Sequence, residues 1–221
     1  MIKSISMASR CLLLVTVLFA KLALADTSAF NAIEQGDVKA LQTWLKVNPE
    51  KVDMSDSQGN TLLLQAGQQK KLAMVKMLLN AGANVNALNH QKRDILNTAV
   101  SNRSVELVIL ALANGADPTL VTSVYEGSAL IYATHQGQVE IVKLLIEAGA
   151  PLNRVNNLGW TALLEATILG DGGVAHQRIV TMLLAGGGDA NIADREGRTP
   201  LDHARSKGHL KMTKLLEPVT H

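Results

Sequence analysis

TLLLQA (61–66), DILNTA (94–99), SALIYA (128–133), TALLEA (161–166) and TPLDHA (199–204) are one phrase written five times, with starts 33, 34, 33 and 38 residues apart. Each of the first four is followed by an apolar helix-like run and a glycine-centred stop: NAGAN (80–84), ANGAD (113–117), EAGAP (147–151) and GGGDA (186–190). A period in this range marks one small supersecondary unit copied and stacked. Surface recognition then becomes the first functional question, ahead of catalysis.

The chemistry of the unit is legible. Thr61, Asp94, Ser128, Thr161 and Thr199 stand where a first helix needs an N-cap, and Pro200 follows where a first helical turn accepts proline. Five positions on, Ala66, Ala99, Ala133, Ala166 and Ala204 suit close contact between helices. A second helix carries apolar pairs: Met74-Val75 with Leu78-Leu79, Leu107-Val108 with Leu110-Ala111, Ile141-Val142 with Leu144-Leu145, and Met212 with Leu215-Leu216. Gly82, Gly115, Gly149 and Gly187 fall where a helix ends in a left-handed residue.

These motifs resemble the ankyrin repeat, with TPLDHARSKGH (199–209) and GQVEIVKLLIEAGA (137–150) the best matches. The resemblance covers almost everything after residue 25. It implies an all-α solenoid of about six helix-turn-helix units joined by short β-turn or hairpin connections. The units span approximately 27–60, 61–93, 94–127, 128–160, 161–198 and 199–221, the first shorter and more polar. The departures are specific. The family's histidine after Thr-Pro-Leu is replaced by Leu64, Asn97, Ile131, Leu164 and Asp202, with His203 one place late. His209 follows Gly208 as in the family's glycine-histidine pair, which implies a structural role in the loop.

Composition agrees with stacked units. The chain is 47% hydrophobic but only 3% aromatic, too few rings for a conventional large core. Leu, Ala and Val suffice where each repeat packs only on its neighbours. A formal net charge of +2 argues against nucleic acid and anionic membrane surfaces.

Residues 1–25 stand outside the pattern. Lys3 and Arg10 supply a positive region, CLLLVTVLFA (11–20) an apolar one, and ALA (23–25) a small-x-small cleavage site before Asp26, together a secretory signal peptide. The apolar stretch is too short to span a bilayer, which needs roughly 20 residues. Cys11, the single cysteine, would leave with the signal. The expectation is a periplasmic protein without disulfides, monomeric when unbound and without stable membrane association.

No motif supports catalysis. The histidines lack i,i+4 spacing and a cysteine partner, GGGDA lacks the lysine and hydroxyl of a phosphate loop, and no serine sits in G-x-S-x-G. We expect no catalytic residue, cofactor or metal.

Two irregularities point to binding. The 38-residue step places about five extra residues in ILGDGGVAHQRIV (168–180), between the two helices of unit five. Asp171 and His176 within it read either as part of a tolerated surface insertion or as a recognition finger. The second irregularity emerges when residues are placed on the repeat template. The expected concave face collects Val124, Tyr125, Leu158, Trp160, Ile168 and Leu169 in units four and five, with His135 and Gln136 between them. Arg93 on one side and Arg195 and Arg198 on the other supply a polar rim. An apolar, aromatic centre inside a polar rim is the anatomy of a protein-binding hot spot. The implied function is a non-catalytic periplasmic protein-binding scaffold, in its most specific form an inhibitor or immunity-type partner of a hydrolase or toxin. Two alternatives use the same residues: an accessory protein supporting a periplasmic enzyme in stress defence, or a small-ligand binder or enzyme using Tyr125, His135 and Trp160 in the concave groove.

Overall fold

The computed structural model describes residues 28–217. The signal-peptide assignment lies outside them, and no described helix is long and apolar enough to cross a membrane. Among the described residues twelve α-helices run in pairs: α1 (28–35) and α2 (Val38–Val47), α3 (Leu62–Gln68) and α4 (Leu72–Asn80), α5 (Ile95–Asn102) and α6 (Val105–Ala113), α7 (Ala129–His135) and α8 (Val139–Glu147), α9 (Ala162–Ile168) and α10 (Val174–Ala185), α11 (Pro200–Ser206) and α12 (Leu210–Leu216). Among the described residues there is no β-strand, only an isolated bridge between Ser55 and Thr61.

Local chemistry sets each start and stop. Thr61, Asp94, Ser128, Thr161 and Thr199 all accept the backbone N–H three residues on, at 3.2, 2.7, 3.4, 3.3 and 3.3 Å. In α11 the Asp202 carboxylate returns the bond by accepting the Thr199 N–H at 2.9 Å, which completes a capping box. Asp94 is the one carboxylate among the five caps, and burial pushes its acid up to about 6. After the second helices, Gly82, Gly115, Gly149 and Gly187 adopt φ of +89°, +83°, +85° and +95°. This left-handed turn is nearly free for glycine and costly for other residues.

The stack is built from like on like. Inner helices pack in a row, α3 on α5, α5 on α7, α7 on α9 and α9 on α11, while α6, α8, α10 and α12 form an outer row. The register alanines Ala66, Ala99, Ala133, Ala166 and Ala204 are fully buried, which lets the inner helices approach closely. Polar side chains join the units by donating to carbonyls at the C-terminal ends of the inner helices. Lys71 donates to the Ile33 carbonyl, Asn102 to Gly67 at 2.7 Å, Gln138 to Val100 at 2.8 Å and Lys207 to Ile168.

The extra residues of unit five are mostly helix. Between α7 and α8 lie residues 136–138, whereas residues 169–173 separate α9 from α10, and α10 has 12 residues against 9 in α8. Two of the five additional residues therefore lengthen the connection, and three add most of a turn to the outer helix. The connection is packed rather than projecting. The Asp171 carboxylate accepts the Gly173 N–H at 2.8 Å and lies 3.0 Å from His176 Nδ1, and Gln177 donates to the Gly172 carbonyl at 2.6 Å. The His176 ring lies over Gly137 and Gly170, and the His209 ring over Gly172, so the insertion is wedged between units four and six.

Candidate binding groove on the concave face

The tips that precede each inner helix share one device. A carboxylate or amide oxygen accepts the N–H groups two and four residues on: Asp56 from Gln58 and Asn60, Asn89 from Gln91 and Arg93, Asn156 from Leu158 and Trp160, and Asp194 from Glu196 and Arg198, all at 2.8–3.0 Å. In these tips the first residue's N–H donates to the carbonyl four residues later. Tip four differs. Thr122 donates instead to Gly127, five residues later, and Ser123 Oγ accepts the Gly127 N–H at 3.0 Å. The single extra residue in the 34-residue step is therefore here, and Glu126 takes the left-handed position at φ +57° that Gly59, Lys92, Gly159 and Gly197 occupy in the other tips.

The tips are joined unevenly. His90 N–H donates to the Gln58 carbonyl between tips two and three, and Asn157 N–H to the Tyr125 carbonyl between tips four and five, at 3.0 and 2.9 Å. Among the described residues no such backbone bond links tip five to tip six, where the Arg195 side chain bonds the Asn157 carbonyl instead, or tip three to tip four. The contact there is made deeper, where Asn97 Nδ2 donates to the Thr122 carbonyl and Oγ1 at 2.9 and 2.7 Å. A groove of about 470 Å³ opens above it. Gln91 and Arg93 form one lip, Val124, Tyr125 and Leu158 the other, and Asn97, Ile131, Tyr132 and Glu165 line it from the helices. Val124 is 62% exposed and Tyr125 59% exposed, so the apolar lip stands in solvent.

Electrostatically the groove has one unusual group. The Glu165 side chain is 9% exposed, its Oε1 lies 3.2 Å from His135 Nδ1, and its Oε2 has no hydrogen-bond partner. Burial pushes its acid up to about 7. Around it the hydroxyls are engaged: Ser128 accepts the Ile131 N–H, Ser123 that of Gly127, and Thr122 the Asn97 amide.

The residues named from sequence do not form one patch. Arg93, Val124, Tyr125 and Leu158 share the groove. Trp160 is half-buried and does not line it; its N–H donates to Asn156 and its carbonyl accepts from the same residue. Ile168 and Leu169 lie at the far, C-terminal end of α9, where the Ile168 carbonyl meets Lys207. His135 and Gln136 close α7, with Gln136 Oε1 accepting from Arg103 at 3.0 Å. Arg195 and Arg198 are exposed on tip six, the first donating to the Asn157 carbonyl and the second 3.7 Å from Asp194. Of the two readings of the insertion, the packed one describes its geometry: His176 is only 12% exposed because it packs between units. Asp171 beside it remains exposed, and the Gly173 N–H followed by His176 holds its carboxyl below the usual range.

Glu165, Ile131 and Tyr132 were missed. The signal was present, because the place before the register alanine holds Gln65, Thr98, Tyr132, Glu165 and His203 in succession. These residues share one face of the inner row, and two of them settle their polar atoms on the cap or tip that precedes their own helix. Thr98 donates to the Asp94 carbonyl at 2.8 Å, and His203 Nε2 lies 2.6 Å from Asp194.

A stack of paired helices, with inner helices packed in a row and glycine-stopped outer helices, defines a repeat solenoid. The chain belongs to the ankyrin-repeat family: the family model for ankyrin repeats in three copies matches residues 29–122 and 96–187. It is 34% identical to the ankyrin repeat protein YahD of Escherichia coli, over 84% of this chain and 92% of that one. A crystal structure of an ankyrin repeat domain from Acinetobacter baumannii matches with a TM-score of 0.82 and 38% identity, covering 87% of this chain and 98% of that one. A structure of a predatory endopeptidase from Bdellovibrio bacteriovorus in complex with an immunity protein contains a chain that matches with a TM-score of 0.72. That match is 22% identical, covers 86% of this chain and 97% of that one, and speaks to the fold alone.

Proposed function

We propose that this chain is an exported, non-catalytic scaffold that binds another protein through the groove between tips three and four. The observation that carries the reading is the lip of Val124, Tyr125 and Leu158, exposed beside the cavity at the six-residue tip. Ankyrin repeats mediate protein–protein interaction as a class, and a tyrosine with aliphatic neighbours is the side-chain set that carries interface energy. The hydroxyls lining the groove hold backbone and amide groups, an arrangement that favours recognition over nucleophilic chemistry.

Export is part of the proposal and rests on residues 1–25. In its most specific form the partner is a periplasmic hydrolase or toxin that binding restrains; the ankyrin-like chain in the Bdellovibrio endopeptidase–immunity complex is a precedent for this fold in such a setting. The test is paired. Terminal sequencing of protein from the periplasm is expected to begin at Asp26 or within a few residues. Capture from a periplasmic extract is expected to yield a partner with the parent chain and to lose it with a Tyr125→Ala/Leu158→Ala double variant of unchanged melting temperature. Retention of Met1 would refute export, and capture indifferent to both substitutions would refute the groove.

A further inference from the structure

We propose that the groove receives a lysine or arginine side chain of the partner protein, its alkyl stem against Tyr125, Tyr132 and Leu158 and its cationic head on the Glu165 carboxylate. The inference rests on the protein-binding reading and names the chemistry that reading leaves open.

Charge complementarity carries it. Glu165 is nine-tenths buried, lines the groove, and keeps Oε2 without a hydrogen-bond partner. A buried acceptor left unmade is costly, so such an oxygen gains more from an arriving donor than an exposed one does. The tip before its own helix does not supply that donor. Where His203 meets Asp194 of tip six, the equivalent tip residue for Glu165 is Asn156, whose Oδ1 accepts the Leu158 and Trp160 N–H groups and whose Nδ2 makes no hydrogen bond to Glu165 Oε2. His135 reaches only the Oε1 side.

The walls suit a long cationic side chain. Lysine and arginine bury their methylene stems along apolar surface while the head seeks a polar partner, and tyrosine faces attract cations. Arg93, on the opposite lip, is exposed, and a solvated guanidinium adds little to binding. It therefore does not make the groove a site for acids.

The test is a ¹H–¹⁵N NMR titration of the purified protein with Nα-acetyl-arginine amide, its neutral isostere Nα-acetyl-citrulline amide, and Nα-acetyl-glutamate amide. The arginine probe is expected to shift the amides of Tyr125, Tyr132 and Glu165 and to bind at least tenfold more tightly than citrulline. Glu165→Gln, which removes a buried charge without changing shape, is expected to bring the two within twofold. Equal binding of arginine and citrulline, tighter binding of the glutamate probe, or shifts confined to other surfaces would each overturn the proposal. A partner captured equally by Glu165→Gln but lost by Tyr125→Ala would overturn this inference and leave the protein-binding reading standing. Capture unaffected by either substitution would overturn both.

Discussion

One extra residue in tip four and five in unit five depart from the same 33-residue beat, with opposite consequences. The larger insertion is absorbed: it adds to α10 and wedges His176 and Gly172 against neighbouring units. The smaller one lies in the tip that holds Val124 and Tyr125 in solvent, beside the groove and at a junction without a tip-to-tip backbone bond. Length is therefore a poor guide to exposure. A helix can accept added residues along its axis while satisfying every new N–H and C=O, whereas a tight turn has no spare backbone bonds and must change shape.

This contrast can be broken experimentally. The largest effect is expected in the wedge. A Cβ on Gly170 would fall 2.0 Å from the Ala166 carbonyl oxygen and 2.9 Å from the His176 ring. Gly170→Ala should cost about 3 kcal/mol or more, measured by urea unfolding, because backbone must move to relieve the overlap. The affinity of the fraction that remains folded should be unchanged. Loss of partner binding by the folded fraction would show that the wedge contributes directly to recognition.

The lip should show the reverse. Tyr125→Ala is expected to weaken partner binding by about 2 kcal/mol, as hot-spot tyrosines do, with little change in thermal stability. Calorimetric titration beside a melting curve separates the two, and an equal loss in stability would make Tyr125 a packing residue instead.

Glu165 should report through pH. Its acid is raised from 4.5 to about 7 in the folded chain, so folding disfavours the ionised form. The resulting destabilisation is absent below pH 4.5, grows as pH rises through 7, and is complete above it. Glu165→Gln should therefore match the parent near pH 4 and exceed it by on the order of 2 kcal/mol at pH 8. A stability difference that does not grow with pH would contradict the buried-acid assignment.

The smallest effect is expected at Glu126, which holds φ +57° in tip four. Glu126→Gly removes the cost of a side chain in that conformation, offset by a more flexible unfolded chain, for a net gain of up to about 1 kcal/mol. A destabilised variant would mean that the Glu126 side chain supports the tip.

Much of the fold was legible because its determinants are local. An N-cap hydroxyl, an alanine five residues later and a glycine after the second helix each act within a few residues, and repetition five times removes ambiguity. All five caps and all four left-handed glycines take those roles in the structure. The groove was half legible. Val124, Tyr125 and Leu158 were found by register, but Trp160, Ile168 and Leu169 shared the template position without sharing the cavity. Whether a tip residue lines a groove depends on how far two tips stand apart, and no single unit contains that distance. Glu165 was missed for a related reason: on its own helix it is an ordinary polar residue in a leucine-rich turn.

From its residues alone, this chain is a solenoid of paired helices, since period and caps act locally and leave no other way to bury the apolar stripes. Only the assembled stack decides that a five-residue insertion packs between units, partly as added helix, while a one-residue insertion falls at the lip of a groove. It also decides that the Glu165 carboxylate is left with an unpartnered oxygen. Burial and hydrogen-bond satisfaction are properties of neighbouring units, and they exist only once those units are stacked.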